Sequence, residues 1–503
     1  MPDFLIVLAL ALPVIPALRT IAWRELWTRQ RVICLCVTLG LAGYAVLVAT
    51  VWYRYQDVLP LAASLAAAVA VFFWWRARPS FGTGRGLPPG TLGMVDSLRS
   101  LLDHRYYLGQ EARYGRVFKI SQFNRPVVCV ADVALGRDLI RRHEDKLMPP
   151  PLQFDCVIPG RFIRYMEVGD HRRYRGVLKA IIRPEIVSAN EETISAACRT
   201  QLRRVWAASR EKPGVHPMEY MRDLCYDIFP VIFFGLRPDS PELARLRAHY
   251  DRLDAADRGN HCSDQVEGIV RDIESIIRAR DRELARLERD TPTSFLEALA
   301  IHEPAAIDDV TLRRNLVYVL RTTRGDVTGL LNWIWYFVAR DPSVLEAVGE
   351  QPADGRAMSW LATAADRIVA ETLRLEQSEY LYREAREDVR WKGFLIPKGW
   401  LVRVCTRDAH RQERHFPDPE RFDPDRFLHR QMHHDEYAPF GMGRHGCLGI
   451  QLTFAVARAF LCELKESYEV RLVERGSRTL GARHWVHWRP DESFSIRLDL
   501  RQA

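Results

Sequence analysis

Three apolar runs open the chain. Phe4 to Leu18, Val32 to Tyr53 and Val58 to Trp75 carry no charged residue over 15, 22 and 18 positions. A helix of about 20 apolar residues spans a bilayer, so the second and third runs predict transmembrane helices. The third ends in Phe72, Phe73, Trp74 and Trp75, aromatic residues of the kind that sit at a membrane–water interface. The first run is shorter and broken by Pro13 and Pro16. Its leading residues, Met1-Pro2-Asp3, lack the Lys or Arg of a signal peptide, so it reads as a third span. A buried core helix is the competing reading for the third run. Phe81 to Gly90 is rich in Gly and Pro, which cannot continue a helix, and predicts a hinge over 81–94. Beyond residue 95 the polarity is that of a globular protein. Gly115 to Asp132 predicts two short strands joined at Asn124-Arg125-Pro126. Apolar residues at helical spacing predict helices over 187–209, 216–234, 241–258, 264–290, 310–340, 343–350 and 357–375, the long one stopped at Asp341-Pro342. Short strands recur near 389–404 and 468–500. With no βα alternation and no internal repeat, residues 95–503 predict one mainly α domain with small β-sheets, preceded by a membrane region over 1–80 with two to three transmembrane helices.

Charge adds an orientation to this picture. Residues 1–80 hold seven Arg against Asp3, Glu25 and Asp57. Four of those Arg lie between positions 19 and 31, and Arg76, Arg78 and Arg85 follow the third run, whereas Arg54 to Asp57 is neutral. Basic loops stay cytoplasmic, so 19–31 and everything after 76 are expected on the cytoplasmic side of a lipid bilayer. Over the whole chain, 72 Lys+Arg against 64 Asp+Glu give +8. No basic run of five or more marks a nucleic-acid arm, so no nucleic-acid partner is expected. The basic residues are overwhelmingly Arg, which reads as genome composition rather than as function. Apolar residues at 48% and charged residues at 27% exclude global disorder. Ten scattered Cys, with no CxxC or HxxxH spacing, exclude a disulfide scaffold and the common zinc motifs.

The chemistry lies near the C-terminus, in Phe440-Gly-Met-Gly-Arg-His-Gly-Cys447-Leu-Gly449. A Cys ringed by four glycines has a backbone free to bend around a bulky atom and amide N–H groups free to face its sulfur. That suits a metal-bound thiolate, since those N–H groups stabilise its charge. An inert Cys in a Gly-rich turn is the alternative. The segment resembles the haem-thiolate loop of the cytochrome P450 superfamily, and the resemblance extends over residues 85–503. Glu371-Thr-Leu-Arg374 resembles the family's Glu-x-x-Arg and Pro424-Asp-Arg426-Phe427 its Pro-Glu-Arg-Phe, with Pro419-Glu-Arg421-Phe422 a competing match. The resemblance implies the P450 fold, haem b held by the Cys447 thiolate, and a buried Glu371, Arg374 and Arg426 set that scaffolds the core. It also implies that Phe440 and Gly441 lie against the cofactor, and that His171, Arg175, Arg383 and His445 are partners of its propionates.

By the same resemblance the activity is monooxygenation. One oxygen atom from O2 enters a small organic substrate, with two electrons from a separate partner, because no flavin or iron–sulfur domain is fused within the sequence. A ferredoxin or flavoprotein is the implied donor, docking near the Cys loop against basic residues such as Arg411, Arg414, Arg430 and Arg444. The family's central helix carries Ala/Gly-Gly-x-Asp/Glu-Thr, whose acid and hydroxyl relay protons. Here the helix reads Leu320-Arg-Thr-Thr-Arg-Gly-Asp-Val-Thr-Gly329. An ungapped placement puts Asp326 where the hydroxyl belongs and Gly325 at the acid; a placement shifted by two residues puts Thr328 there. Leu375 to Tyr382, which lines the pocket by resemblance, is polar where the family is Pro-rich and apolar. A haem protein of the same fold without monooxygenase activity stands as the alternative, either an isomerase or peroxide-dependent enzyme or a sensing module.

Overall fold

The computed structural model describes residues 86–501 apart from 94–98, 101–102, 104, 123–124, 151–157, 159–161, 257–263, 285–290, 350–360, 378–380, 430–431 and 481–487. The chain divides into two compact units, one of residues 1–85, 91–99 and 120–126, the other of 86–90, 100–119 and 127–503. The site chemistry lies in the second. The three N-terminal apolar runs, and residues 81–85 and 94 of the hinge, lie outside the described residues. Among the described residues, no helix is long and apolar enough to cross a membrane.

The first elements are α1 (Tyr106–Tyr114), β1 (Val117–Gln122), β2 (Arg125–Val130), α2 (Val133–Arg142) and β3 (Leu147–Met148). A helical body follows: α3 (Val168–Ile181), α4 (Pro184–Ala189), α5 (Glu191–Glu211), α6 (Met218–Phe234), α7 (Pro241–Ala256), α8 (Asp264–Leu284), α9 (Phe295–His302), α10 (Val310–Val338) and α11 (Ala364–Thr372). Then come β4 (Leu381–Ala385), β5 (Val389–Trp391), β6 (Phe394–Ile396), β7 (Leu401–Val404), α12 (Thr406–Ala409) and α13 (Arg426–His429). The chain closes with α14 (Ile450–Ser467), β8 (Tyr468–Glu474), β9 (Arg478–Leu480), β10 (Trp488–Pro490) and β11 (Ser495–Leu500). The fold is mainly helical with small sheets. The largest sheet runs β1-β2-β7-β4-β3, with β2 parallel to β7 and β4 antiparallel to it. Val127 to Val130 are all fully buried, as a β-branched run between covered faces requires.

Helix boundaries follow local chemistry. Asp309 caps α10 by accepting from the Thr311 and Leu312 amides at 2.8 and 3.2 Å. Trp333, Ile334 and Trp335 at its far end are fully buried, and Phe337 stacks on Phe422 at 4.4 Å. The helix expected over 187–209 is two. Asn190 interrupts it, its side chain donating to the Ile186 and Thr293 carbonyls, both at 2.8 Å, so α4 ends and α5 restarts. The helix expected over 343–350 is a single 3₁₀ turn, Pro342–Leu345. Helix α11 starts at Ala364 because Thr363 and Asp366 form a reciprocal capping box. Arg458 of α14 binds the same Asp366 at 2.7 Å and so ties α14 to the start of α11.

Helix α11 ends in a π turn, Leu373–Gln377, with one buried carboxylate, Glu371, just before it and another, Glu376, within it. Glu371 receives two bonds from Arg374 at 2.7 and 2.9 Å and one from Arg426 at 2.9 Å. Arg421, the competing match, gives Arg374 only its carbonyl. Glu376 meets Arg407 at 2.9 Å, Arg411 at 3.0 Å and Arg478 at 2.8 Å. Burial alone would raise the Glu376 carboxyl, and the three guanidinium groups overturn that and hold it at about 2. Its depressed pKa makes its stabilisation complete above the unfolded value of roughly 4.3 and progressively lost as pH falls toward about 2. Thermal melts of the Glu376→Gln variant are expected to show about 3 kcal/mol lost at pH 7. The extra acid sensitivity between pH 4.5 and 2 should be missing as well. A variant with wild-type acid sensitivity would contradict this.

Candidate active site

Two glycines with left-handed backbone shape the Cys447 loop. Gly441 (φ 79°) and Gly443 (φ 66°) occupy conformations that a side chain would strain. They fold the segment back so that the Cys447 amide donates to the Phe440 carbonyl at 2.9 Å, around a 3₁₀ turn at Gly443–His445. The thiol of Cys447 is exposed, and the Gly449 amide donates to its sulfur at 3.2 Å. An N–H aimed at sulfur favours the thiolate. Gly449 then begins α14. Phe440 sits in partial burial against Phe454, ring centroids 6.0 Å apart.

Cations converge on this loop from three other parts of the chain. Arg175 of α3 donates to the Gly446 carbonyl at 2.7 Å. Burial lowers its pKa, and the nearby Cys447 acts against that lowering. One turn earlier, the buried His171 ring lies 4.2 Å from the His445 ring. The His445 Nε2 accepts from Arg444 at 3.1 Å, so its Nδ1 carries the proton, and this buried N–H has no hydrogen-bond partner. Arg383 enters from β4 with its side chain buried. Burial, then Arg383, His171, Arg444 and Arg164, depress His445 to about 2. Burial, then Arg175, Arg444 and Arg383, depress His171 to about 4. Arg444 also faces Glu144 at 3.4 Å. A nest with so many guanidinium groups, two neutral imidazoles and an orphaned N–H donor is chemically complementary to a ligand with more than one negative charge. An exposed thiol beside that nest fits a prosthetic group with an iron centre and two carboxylates, which is haem.

On α10, Thr322, Gly325 and Asp326 are exposed and fall on one helical face, whereas Thr328 is buried and its hydroxyl donates to the Cys225 sulfur at 3.4 Å. The two proton-relay candidates therefore lie on different faces of the helix. Arg321 and Arg324 both bind Asp254 of α7, Arg321 at 3.0 Å and Arg324 at 2.5 Å.

One expectation fails. Arg411 is not part of a docking face: it is buried and paired with Glu376. Arg414 is exposed on one side and binds Asp132 at 2.9 Å, Arg444 is largely covered, and Arg430 lies outside the described residues. Sequence reasoning missed the Glu376 cluster and Arg164. No local signal marks Glu376, since its partners lie 31, 35 and 102 residues away.

An exposed thiol brought together with buried cations and neutral imidazoles matches what a haem-thiolate site would need. The family profile described as Cytochrome P450 matches residues 262–480. Abscisic acid 8'-hydroxylase 3 of Oryza sativa subsp. indica is 26% identical over 419 residues, covering 77% of this chain and 82% of the relative. Abscisic acid 8'-hydroxylase 2 of Arabidopsis thaliana is 25% identical over 421 residues, covering 77% and 85%. Among solved structures, a retinoic acid-bound cyanobacterial P450 superposes with a TM-score of 0.66 at 18% identity, over 83% of this chain and all of the other. Residues 262–480 match the cytochrome P450 family, and the fold is that of its solved members. The chain is an oxidoreductase of the haem-thiolate monooxygenase class, and haem is its cofactor.

If Cys447 is the iron ligand, Cys447→His abolishes the red-shifted band of the reduced CO complex that is the family's spectral signature. Cys405→Ser and Cys462→Ser should keep it. Loss of the band in either control with its retention in Cys447→His would reassign the ligand.

Proposed function

We propose that this protein is a membrane-anchored monooxygenase in which Cys447 ligates the haem iron and His171, Arg175, Arg383 and His445 hold the propionates. Asp326 then takes the proton-relay place of the family's hydroxyl. The observation that carries this reading is the convergence of buried cations and an orphaned His445 N–H around an exposed thiol. When bound, haem supplies reductive activation of O2, with one oxygen atom entering the substrate and the other leaving as water.

The chain's own groups divide the remaining work. The Gly449 N–H stabilises negative charge on the Cys447 sulfur, and Arg175 braces the loop through the Gly446 carbonyl. Phe440 and Gly441 would lie against the cofactor. The Asp326 carboxylate, on the exposed face of α10 one turn beyond Thr322, would pass protons toward the cofactor side. Its exposure and the burial of Thr328 against Cys225 support the ungapped placement over the shifted one. Electrons come from a ferredoxin or flavoprotein. Relatives named for abscisic acid and a structural neighbour holding retinoic acid suggest an organic acid as substrate, so both compounds head a screen by spectral shift.

With a substrate from that screen, Asp326→Asn is expected to bind haem and substrate normally but to divert most reducing equivalents to hydrogen peroxide, lowering product per electron pair several-fold. Unchanged coupling in Asp326→Asn with collapse in Thr328→Ala would favour the shifted placement instead.

Residues 1–80 are proposed to span the membrane two to three times, with 81–94 as a hinge and 95–503 as the catalytic domain on the cytoplasmic side. Protease added to intact cells should leave residues 90–503 uncut, and alkaline carbonate should not release the chain. Cleavage from outside would reverse the orientation, and release by carbonate would remove the spans.

A further inference from the structure

The loop between α13 and the Cys447 segment carries His433, His434 and Asp435 in succession. Among the described residues this group places one potential ligand atom from each side chain within 4.8 Å of the other two. His433 Nδ1 lies 3.6 Å from one Asp435 oxygen, and His434 Nε2 lies 3.4 Å from the other. Donors on a tetrahedral ion with bonds of about 2.0–2.1 Å are separated by roughly 3.3–3.4 Å. Each carboxylate oxygen therefore stands at close to ligand spacing from one of the two imidazoles, whose ring centroids are 4.0 Å apart.

Support comes from outside the loop. Arg137 of α2 donates to the His434 carbonyl at 2.6 Å and forms an ion pair with Asp435 Oδ1 at 2.9 Å, holding the main chain and the carboxylate together. Glu436 accepts from the His433 amide at 3.4 Å and faces His415 Nδ1 at 3.3 Å, which adds a carboxylate beside the group. Two residues on, the Tyr437 hydroxyl donates to the Ala370 carbonyl at 2.7 Å and the Ala438 amide to His410 Nε2 at 3.0 Å. The loop is thus anchored on its C-terminal side. The two imidazoles are more than half open to solvent and the carboxylate about a third, with side-chain exposures of 61%, 63% and 37%, so a hydrated cation has access and water can complete the coordination. Binding displaces one contact, the Asp435 amide to His433 Nδ1 at 3.3 Å, which is long for a hydrogen bond.

We propose that His433, His434 and Asp435 bind a divalent transition-metal ion of the zinc class, clamping the loop that enters the thiolate segment. Two imidazoles and one carboxylate suit zinc, nickel or copper rather than magnesium or calcium, which take oxygen ligands.

Zinc chloride is the probe, added to chelator-treated, tag-free holoprotein so that Cys447 is occupied by haem. Calorimetric titration should give one zinc ion that the His433→Ala/His434→Ala double variant binds at least tenfold more weakly, and His415→Ala should bind as wild type does. Zinc should also raise the melting temperature of the wild type and leave that of the double variant unchanged. Equal zinc affinity and stoichiometry in wild type and double variant would overturn the site. So would the absence of both binding heat and thermal shift in the wild type at millimolar zinc.

Discussion

Glu371 has no solvent exposure, and a carboxylate in that position is tolerable only if cations close around it. Arg374, one helical turn on, supplies two bonds, and Arg426 supplies the third from 55 residues away. Because Arg426 also grips the Pro417 carbonyl at 2.9 Å and Arg374 grips the His410 carbonyl at 2.8 Å, the irregular chain from 410 to 426 is wrapped onto α11 by charge rather than by regular secondary structure. That wrapping delivers the chain to the start of the Cys447 loop. Arg458 on Asp366 fixes α14, the element that follows the loop, to the other end of α11. The thiol is held between two segments that both answer to one helix.

The site's cations illustrate a second use of electrostatics. His171 and His445 are kept neutral by burial and by the surrounding guanidinium groups, so they add nothing to the repulsion. Charge in the nest is concentrated on Arg175, Arg383 and Arg444.

Local signals in the sequence were a good guide where the physics is local. The long helix α10 and its stop at Asp341-Pro342 were legible from periodicity and the proline, and the glycine-ringed Cys447 from composition. The choice of Arg426 over Arg421 was legible from spacing. The break at Asn190 was not, because it depends on a carbonyl at Thr293, 103 residues away. Nor was the burial of Arg411, whose exposed reading came from treating a charge in a polar stretch as solvated. The faces of α10 became distinguishable only once Cys225 was seen to occupy one of them. Non-local pairing decides such cases, and no window along the chain contains it.

The buried Arg411 bears on the composition of the whole chain. Burial and its neighbour Arg407 pull its pKa down to about 10, against the opposing pull of Glu376, yet it keeps its proton at neutral pH. A lysine starts about two units lower, so an equal displacement would bring it to the edge of neutrality and discharge part of the population. Arg374, Arg383, Arg403 and Arg407 are buried in the same way. The preponderance of arginine is therefore more than a mark of base composition. At the Arg411 position a lysine would carry only part of its charge at neutral pH.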